Sequence, residues 1–153
     1  MADNMRKTAK LVALVIAGMT LAGIQNIQAH DGASGVVKER MDNFKATQQH
    51  LKAISQLMLM DEYDEIVDRA GKMRAWGAEI TSKFQEGSGG GVSDAKAEIW
   101  TNFEDFSQHA DKHVAALDGL ISAAKAGDSD ALEGAFKAVA GTCKGCHMKY
   151  REL

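Results

Sequence analysis

Not one of the 153 residues is proline. Proline lacks a backbone donor and breaks helices, so this chain, well supplied with Ala, Leu, Met, Glu and Lys, can run long helices without a forced stop. Val and Ile occur, but never in the alternating runs of a half-buried strand. Glycine does the punctuating instead. The run Gly87-Ser88-Gly89-Gly90-Gly91 stops any helix, and Gly127 ahead of Asp128 and Asp130 reads as one helix ending and another beginning.

Between those signals four amphipathic segments follow one another. The first covers about 36–60, with Val37, Phe44, Leu51 and Met58 every seven residues and Arg40, Thr47 and Ile54 three places further on. A second, about 63–84, carries Ile66, Ala70, Met73, Gly77, Ile80 and Phe84 on one stripe. The third follows Ser93 and Asp94, either of which can cap it, and aligns Ile99, Phe103, Phe106, Ala110, His113, Leu117, Leu120 and Ala124 up to about residue 126. Leu132, Phe136, Val139, Cys143, Cys146 and Tyr150 make the fourth stripe. Four such helices with short or modest connections predict an all-α, antiparallel four-helix bundle with each stripe turned inward.

Residues 1–29 read as a secretory signal peptide and 30–153 as the folded domain. Arg6, Lys7 and Lys10 precede an apolar stretch from Leu11 to Ile24, and Ile27-Gln28-Ala29 puts a small residue before His30. The apolar stretch is shorter than the roughly 20 residues of a membrane span, which favours cleavage over a retained anchor and predicts no stable membrane insertion afterwards. Met1 and Met5 both serve as a start. The segment removed is basic, so the remainder is more acidic than the whole chain's net −3. That balance leaves no basic footprint for nucleic acid.

Near the end of the fourth segment stands Cys143-Lys144-Gly145-Cys146-His147. Positions i, i+3 and i+4 share one face of a helix, so a single turn offers two thiols and an imidazole together. Two thiols can add to the two vinyl groups of haem while the imidazole reaches its iron, which is the haem-attachment reading of C-x-x-C-H. These are the only two cysteines. A disulfide would close only a tiny loop, a thioredoxin-like pair wants a βαβ context, and a zinc site wants a fourth ligand at a recognisable spacing; these are the competing readings.

On these residues the chain resembles the class II c-type cytochromes, the four-helix cytochrome c′ family. The attachment motif is followed by Met148-Lys149-Tyr150-Arg151, Glu98-Ile99-Trp100 follows a glycine-rich loop, and Val37-Lys38-Glu39-Arg40 opens the first helix, each similar to that family. The resemblance runs from about 36 to 151 and implies one covalently attached haem c, in the periplasm.

What the resemblance implies for the rest of the site can be stated residue by residue. Arg40 matches an arginine that pairs with a haem propionate. Phe44, four places on, stands where low-spin relatives have a ligating methionine, and a phenyl ring cannot coordinate iron. The expectation is a five-coordinate, high-spin iron under an apolar cover, open to nitric oxide or carbon monoxide. Met41 is often glutamine in the family and touches the haem edge; its thioether, or His113, are the alternative sixth ligands, which would make a low-spin electron shuttle. Asp94 and Trp100 match a stretch passing near the haem edge, although Asp94 also reads as a helix cap and Trp100 as core. Lys149 and Arg151 read best as complements to the negative end of the last helix. His50 and His109 read as surface residues, and copper at His30 lacks a second nearby histidine. Family members commonly pair through the first two helices, so a homodimer is implied, alongside redox partner proteins.

No Ser-His-Asp set, phosphate loop or paired catalytic carboxylates can be placed, so the reading is an electron carrier or gas-binding haem protein rather than an enzyme. A non-haem helical periplasmic adaptor, using Met41, Met58 and Met60, is the alternative of another class.

Overall fold

The computed structural model describes residues 32–152; the expected signal segment 1–29 and His30 lie outside the described residues. Among the described residues four long helices form an antiparallel bundle. Helix α1 (Gly35–Leu57) runs into a 3₁₀ turn at Met58–Met60, and Asp61, in the left-handed region at φ 54°, reverses the chain. Helix α2 (Tyr63–Glu79) starts with Asp64 and Glu65 in its first turn, where the helix dipole favours negative charge, and tightens into a 3₁₀ turn at Ile80–Lys83. After the glycine loop come a single turn, α3 (Glu98–Thr101), and then α4 (Phe103–Ala126). Gly127 ends α4 at φ 64°, and the Asp128 carboxylate caps α5 (Ser129–Tyr150) by accepting the Ala131 N–H at 2.9 Å. The glycine stop and aspartate start are as the sequence predicts, with Asp128 rather than Asp130 as the cap.

Packing runs α1 on α2, α2 on α4 and α4 on α5, while the closing pair α1 and α5 approach each other only sparsely. Two cores result. One is aliphatic, centred on Ile54, Ile66, Met73, Leu117 and Leu120, all with no exposure. Each such side chain stabilises the fold by roughly 1.5–3 kcal/mol. The other is aromatic: Trp76, Phe84, Phe106 and Tyr150 with Ile80 and Ile99, against which Phe44, Trp100 and Cys146 pack. The aliphatic end holds the helices in register; the aromatic end carries the C-x-x-C-H turn.

The structure departs from the sequence reading in three places. The expected third helix, beginning at Ser93 or Asp94, is broken. Lys96 N–H donates to Tyr150 O (3.0 Å), Glu152 N–H donates to Asp94 O (2.8 Å), and Ala95 pairs with Arg151. This stretch is committed to the end of α5 in extended form, so helix starts only at Glu98 and breaks again at Asn102. Asp94 therefore caps nothing. Phe103, expected inside, is 41% exposed. On α1 the fully buried line is Arg40, Thr47 and Ile54, whereas Val37, Phe44, Leu51 and Met58 are half-buried. Among the described residues no helix is long and apolar enough to cross a membrane.

Candidate haem-binding site

The last turns of α5 bring Cys143, Cys146 and His147 to one half-buried face, as their spacing requires. The two sulfurs are separate thiols. Burial pushes both up in pKa, Cys146 to about 11 with Cys143 beside it adding to the rise. Redox-exchange and zinc-binding cysteines work as thiolates, and this environment suppresses the thiolate. Among the described residues no group of three or more His, Cys, Asp or Glu side chains is placed to hold a metal ion. Burial first, and then the charge of Arg151, lower the pKa of His147. A neutral imidazole with a free lone pair is the form that binds iron.

Across from this face stands α1. The Phe44 ring lies 6.2 Å from the His147 ring, centroid to centroid, at 70°. It also meets Trp76 edge-on at 5.4 Å and Phe84 at 6.3 Å. The side chain facing His147 is thus carbon only.

One turn earlier, Arg40 is 2% exposed. Its Nη1 donates to Ser88 Oγ (2.8 Å) and Lys83 O (3.4 Å), and its Nη2 to Ser88 O (2.6 Å) and Ser93 Oγ (2.6 Å). The guanidinium also lies 4.5 Å over the Phe84 ring. All these partners are neutral, and among the described residues no carboxylate lies in ion-pair range of Arg40. Burial accordingly lowers its pKa. A buried cation without a counter-ion is costly and invites an anion. The donor set therefore fits a haem: thiols for two vinyl groups, an imidazole for iron, a guanidinium for a carboxylate.

The remaining residues singled out by sequence fall as follows. Met41 is half-buried and joins neither core. Asp94 is exposed and ion-paired with Arg151 at 3.0 Å, while Lys149 pairs with Asp105 at 2.6 Å. Arg151 thus does more than offset the helix dipole, since its charge also acts on His147. His113 is 7% exposed with Nδ1 2.8 Å from Thr142 Oγ1. Because the Thr142 hydroxyl donates to Val139 O at 2.6 Å, Nδ1 is the donor in that contact. His50 and His109 are half-buried rather than surface residues, His109 standing 3.6 Å from Asp105. Trp100 packs at 6.5 Å on Phe84 and donates Nε1–H to Phe84 O and Gln85 O. A shallow depression of about 380 Å³ beside Trp100 and Phe103 includes none of the motif residues.

Two contributions escaped the sequence reading. Ser88 and Ser93 hold Arg40, and nothing in a glycine-rich loop signals that its serines face a buried cation. Trp76 lies in the aromatic core beside Phe44; its place one residue before the stripe position Gly77 was the available hint.

A family model described as Cytochrome C' matches residues 35–151. A cytochrome c' of Pararhodospirillum photometricum is 34% identical over 119 residues, covering 76% of this chain and 95% of that protein. One from Rhodospirillum rubrum is 31% identical over 144 residues, covering 92% and 96%. Among solved structures, the nitric oxide complex of a cytochrome c prime mutant from Alcaligenes xylosoxidans superposes with a TM-score of 0.70 at 28% identity, covering 77% of this chain and 94% of that one.

Proposed function

Because this chain belongs to the cytochrome c′ family, whose members carry covalently attached haem c, we propose that it is a periplasmic, five-coordinate haem protein that binds nitric oxide or carbon monoxide and exchanges electrons with redox partners. The observation that carries this reading is the Phe44 ring opposite His147. With family and cofactor established, the non-haem adaptor is set aside.

When bound, the haem would supply a redox-active iron able to take a small ligand. Cys143 and Cys146 would hold the macrocycle by thioether bonds, each thiol having added its S–H across a vinyl group. His147 would bind the iron through a ring nitrogen, and its burial favours the neutral form that this requires. Phe44, facing His147, would offer the iron no ligating atom. Its ring would exclude water and admit only ligands small enough to displace a ring edge. Arg40 offers its guanidinium to a propionate at the level of Phe84.

Export agrees with the pattern of residues 1–29, which we read as a cleaved signal, leaving 30–153 as the functional domain. Pairing of two copies through the first two helices is part of the same proposal. The carbon monoxide and nitric oxide complexes of variants of the Alcaligenes xylosoxidans protein support the choice of ligands.

The test is the absorption spectrum of the haem-loaded protein, oxidised, reduced, and reduced under carbon monoxide. Broad high-spin bands that shift with carbon monoxide are expected. Sharp low-spin bands indifferent to the gas would overturn the reading and put Met41 or His113 on the iron, leaving a plain electron shuttle.

A further inference from the structure

Two tryptophans lie in the aromatic half of the molecule, and they differ in one respect. Trp100 gives its indole N–H to two backbone carbonyls, at 3.0 and 2.9 Å. Trp76 is 7% exposed and its Nε1–H has no partner among the described residues. Buried donors in native proteins are nearly always satisfied, so an orphan calls for a specific explanation. His50 Nδ1 and Arg69 Nε are also buried and unpartnered, but neither residue belongs to the aromatic core. Trp76 does, together with Phe44 and Cys146.

The level of Trp76 along the bundle narrows what it can serve. α1 and α2 are antiparallel neighbours, so successive turns of one meet successive turns of the other in reverse order. Arg40 sits over Phe84, and Phe44, one turn on, meets Trp76 two turns back along α2. The indole is therefore level with the ring that faces His147, not with the guanidinium that awaits a carboxylate. Of the aromatic side chains in that core, Phe44, Phe84 and Phe106 carry no polar atom, Tyr150 gives its hydroxyl to Asp105 and Trp100 its N–H to two carbonyls, so Trp76 is the one with a donor to spare.

We propose that Trp76 is the hydrogen-bond donor of the ligand pocket, its Nε1–H giving a hydrogen bond to the outer atom of a small ligand held opposite His147. The pocket then discriminates by polarity as well as by size. Ligands whose outer atom gathers negative charge are favoured over purely apolar guests, because a buried hydrogen bond is stronger than the same bond in water. Trp76 acts on affinity and specificity and takes no part in holding the haem. The inference rests on the open coordination position proposed above.

The test uses the haem-loaded, reduced protein with carbon monoxide as the probe, in three forms: native, Trp76→Phe, and the protein with benzothienylalanine at position 76, which keeps the bicyclic shape but lacks the N–H. The infrared C–O stretch and the carbon monoxide dissociation rate are read for each. Loss of the donor raises the stretching frequency in both altered proteins, abolishes its small shift in heavy water, and speeds dissociation roughly 2- to 12-fold, the span of one net hydrogen bond. A stretch unchanged in all three forms, with carbon monoxide bound in each, overturns the role of Trp76 while leaving the open site intact. A change in Trp76→Phe that the sulfur isostere lacks is a packing effect and overturns it equally. Failure of the native protein to bind carbon monoxide removes the open site and this inference together.

Discussion

Replacing Arg40 by methionine tests whether the buried guanidinium serves a carboxylate or only the loop that now surrounds it. Its four contacts to Lys83, Ser88 and Ser93 go to neutral oxygens that do not titrate in the working range. Whatever those bonds contribute, offset by the cost of burying the cation, is the same at pH 3 as at pH 7. A propionate partner behaves differently. An adjacent cation lowers a carboxyl pKa by about 1–3 units, and each unit is worth about 1.4 kcal/mol. With the folded-state value depressed, that contribution is fully present above the unfolded value of about 4.3 and disappears as pH falls through the folded one. The stability difference between wild type and Arg40→Met should therefore shrink by about 1.3–2.4 kcal/mol between pH 7 and pH 2.5, the more strongly depressed values not yet being fully titrated at the lower pH. Urea unfolding of the haem-loaded proteins across that range measures it, with an unchanged m-value as the check that both unfold alike. Other carboxylates titrate in both proteins and cancel in the difference. A difference that stays flat with pH would refute the propionate pairing and leave Arg40 as a clamp on the glycine loop.

Two further outcomes follow from contacts away from the motif. A Cβ on Gly89 would stand 2.6 Å from the Trp100 ring, and that ring is pinned by its bonds to Phe84 O and Gln85 O. Gly89→Ala should cost about 1–3 kcal/mol by overpacking, whereas Gly141→Ala, with nothing within 4 Å, should be stabilising by roughly 0.5–1 kcal/mol as a helix-interior replacement; thermal unfolding by circular dichroism separates them. His113 is held below its ordinary pKa of 6.5 by burial and then by His147. The unfolded chain therefore takes up its proton first, and stability is lost as pH falls from about 6.5 towards the lowered value. His113→Phe should abolish that loss while costing about 1 kcal/mol at pH 8 for the bond to Thr142; equal slopes in wild type and variant between pH 8 and pH 5 would count against it.

Much of the fold was legible because helix periodicity and glycine stops are local. The α2 stripe is buried throughout, and Gly127 and Asp128 end and begin helices where expected. The broken start of the third helix was not legible. Residues 94–96 pair with the end of α5, some 55 positions away, and that long-range backbone pairing outweighs local helix propensity. The motif was legible in full, since its spacing alone puts two thiols and an imidazole on one helical turn.

The sequence by itself determined the helical architecture, the C-x-x-C-H turn and the carbon-only residue at position 44, because each depends on side chains within a turn or two of one another. Only the tertiary structure decided that, among the described residues, Arg40 is buried without a counter-ion and Trp76 holds an unpartnered N–H beside Phe44. Those are statements about what is missing around a polar group. Absence of a partner depends on every neighbouring element at once, and no local pattern records it.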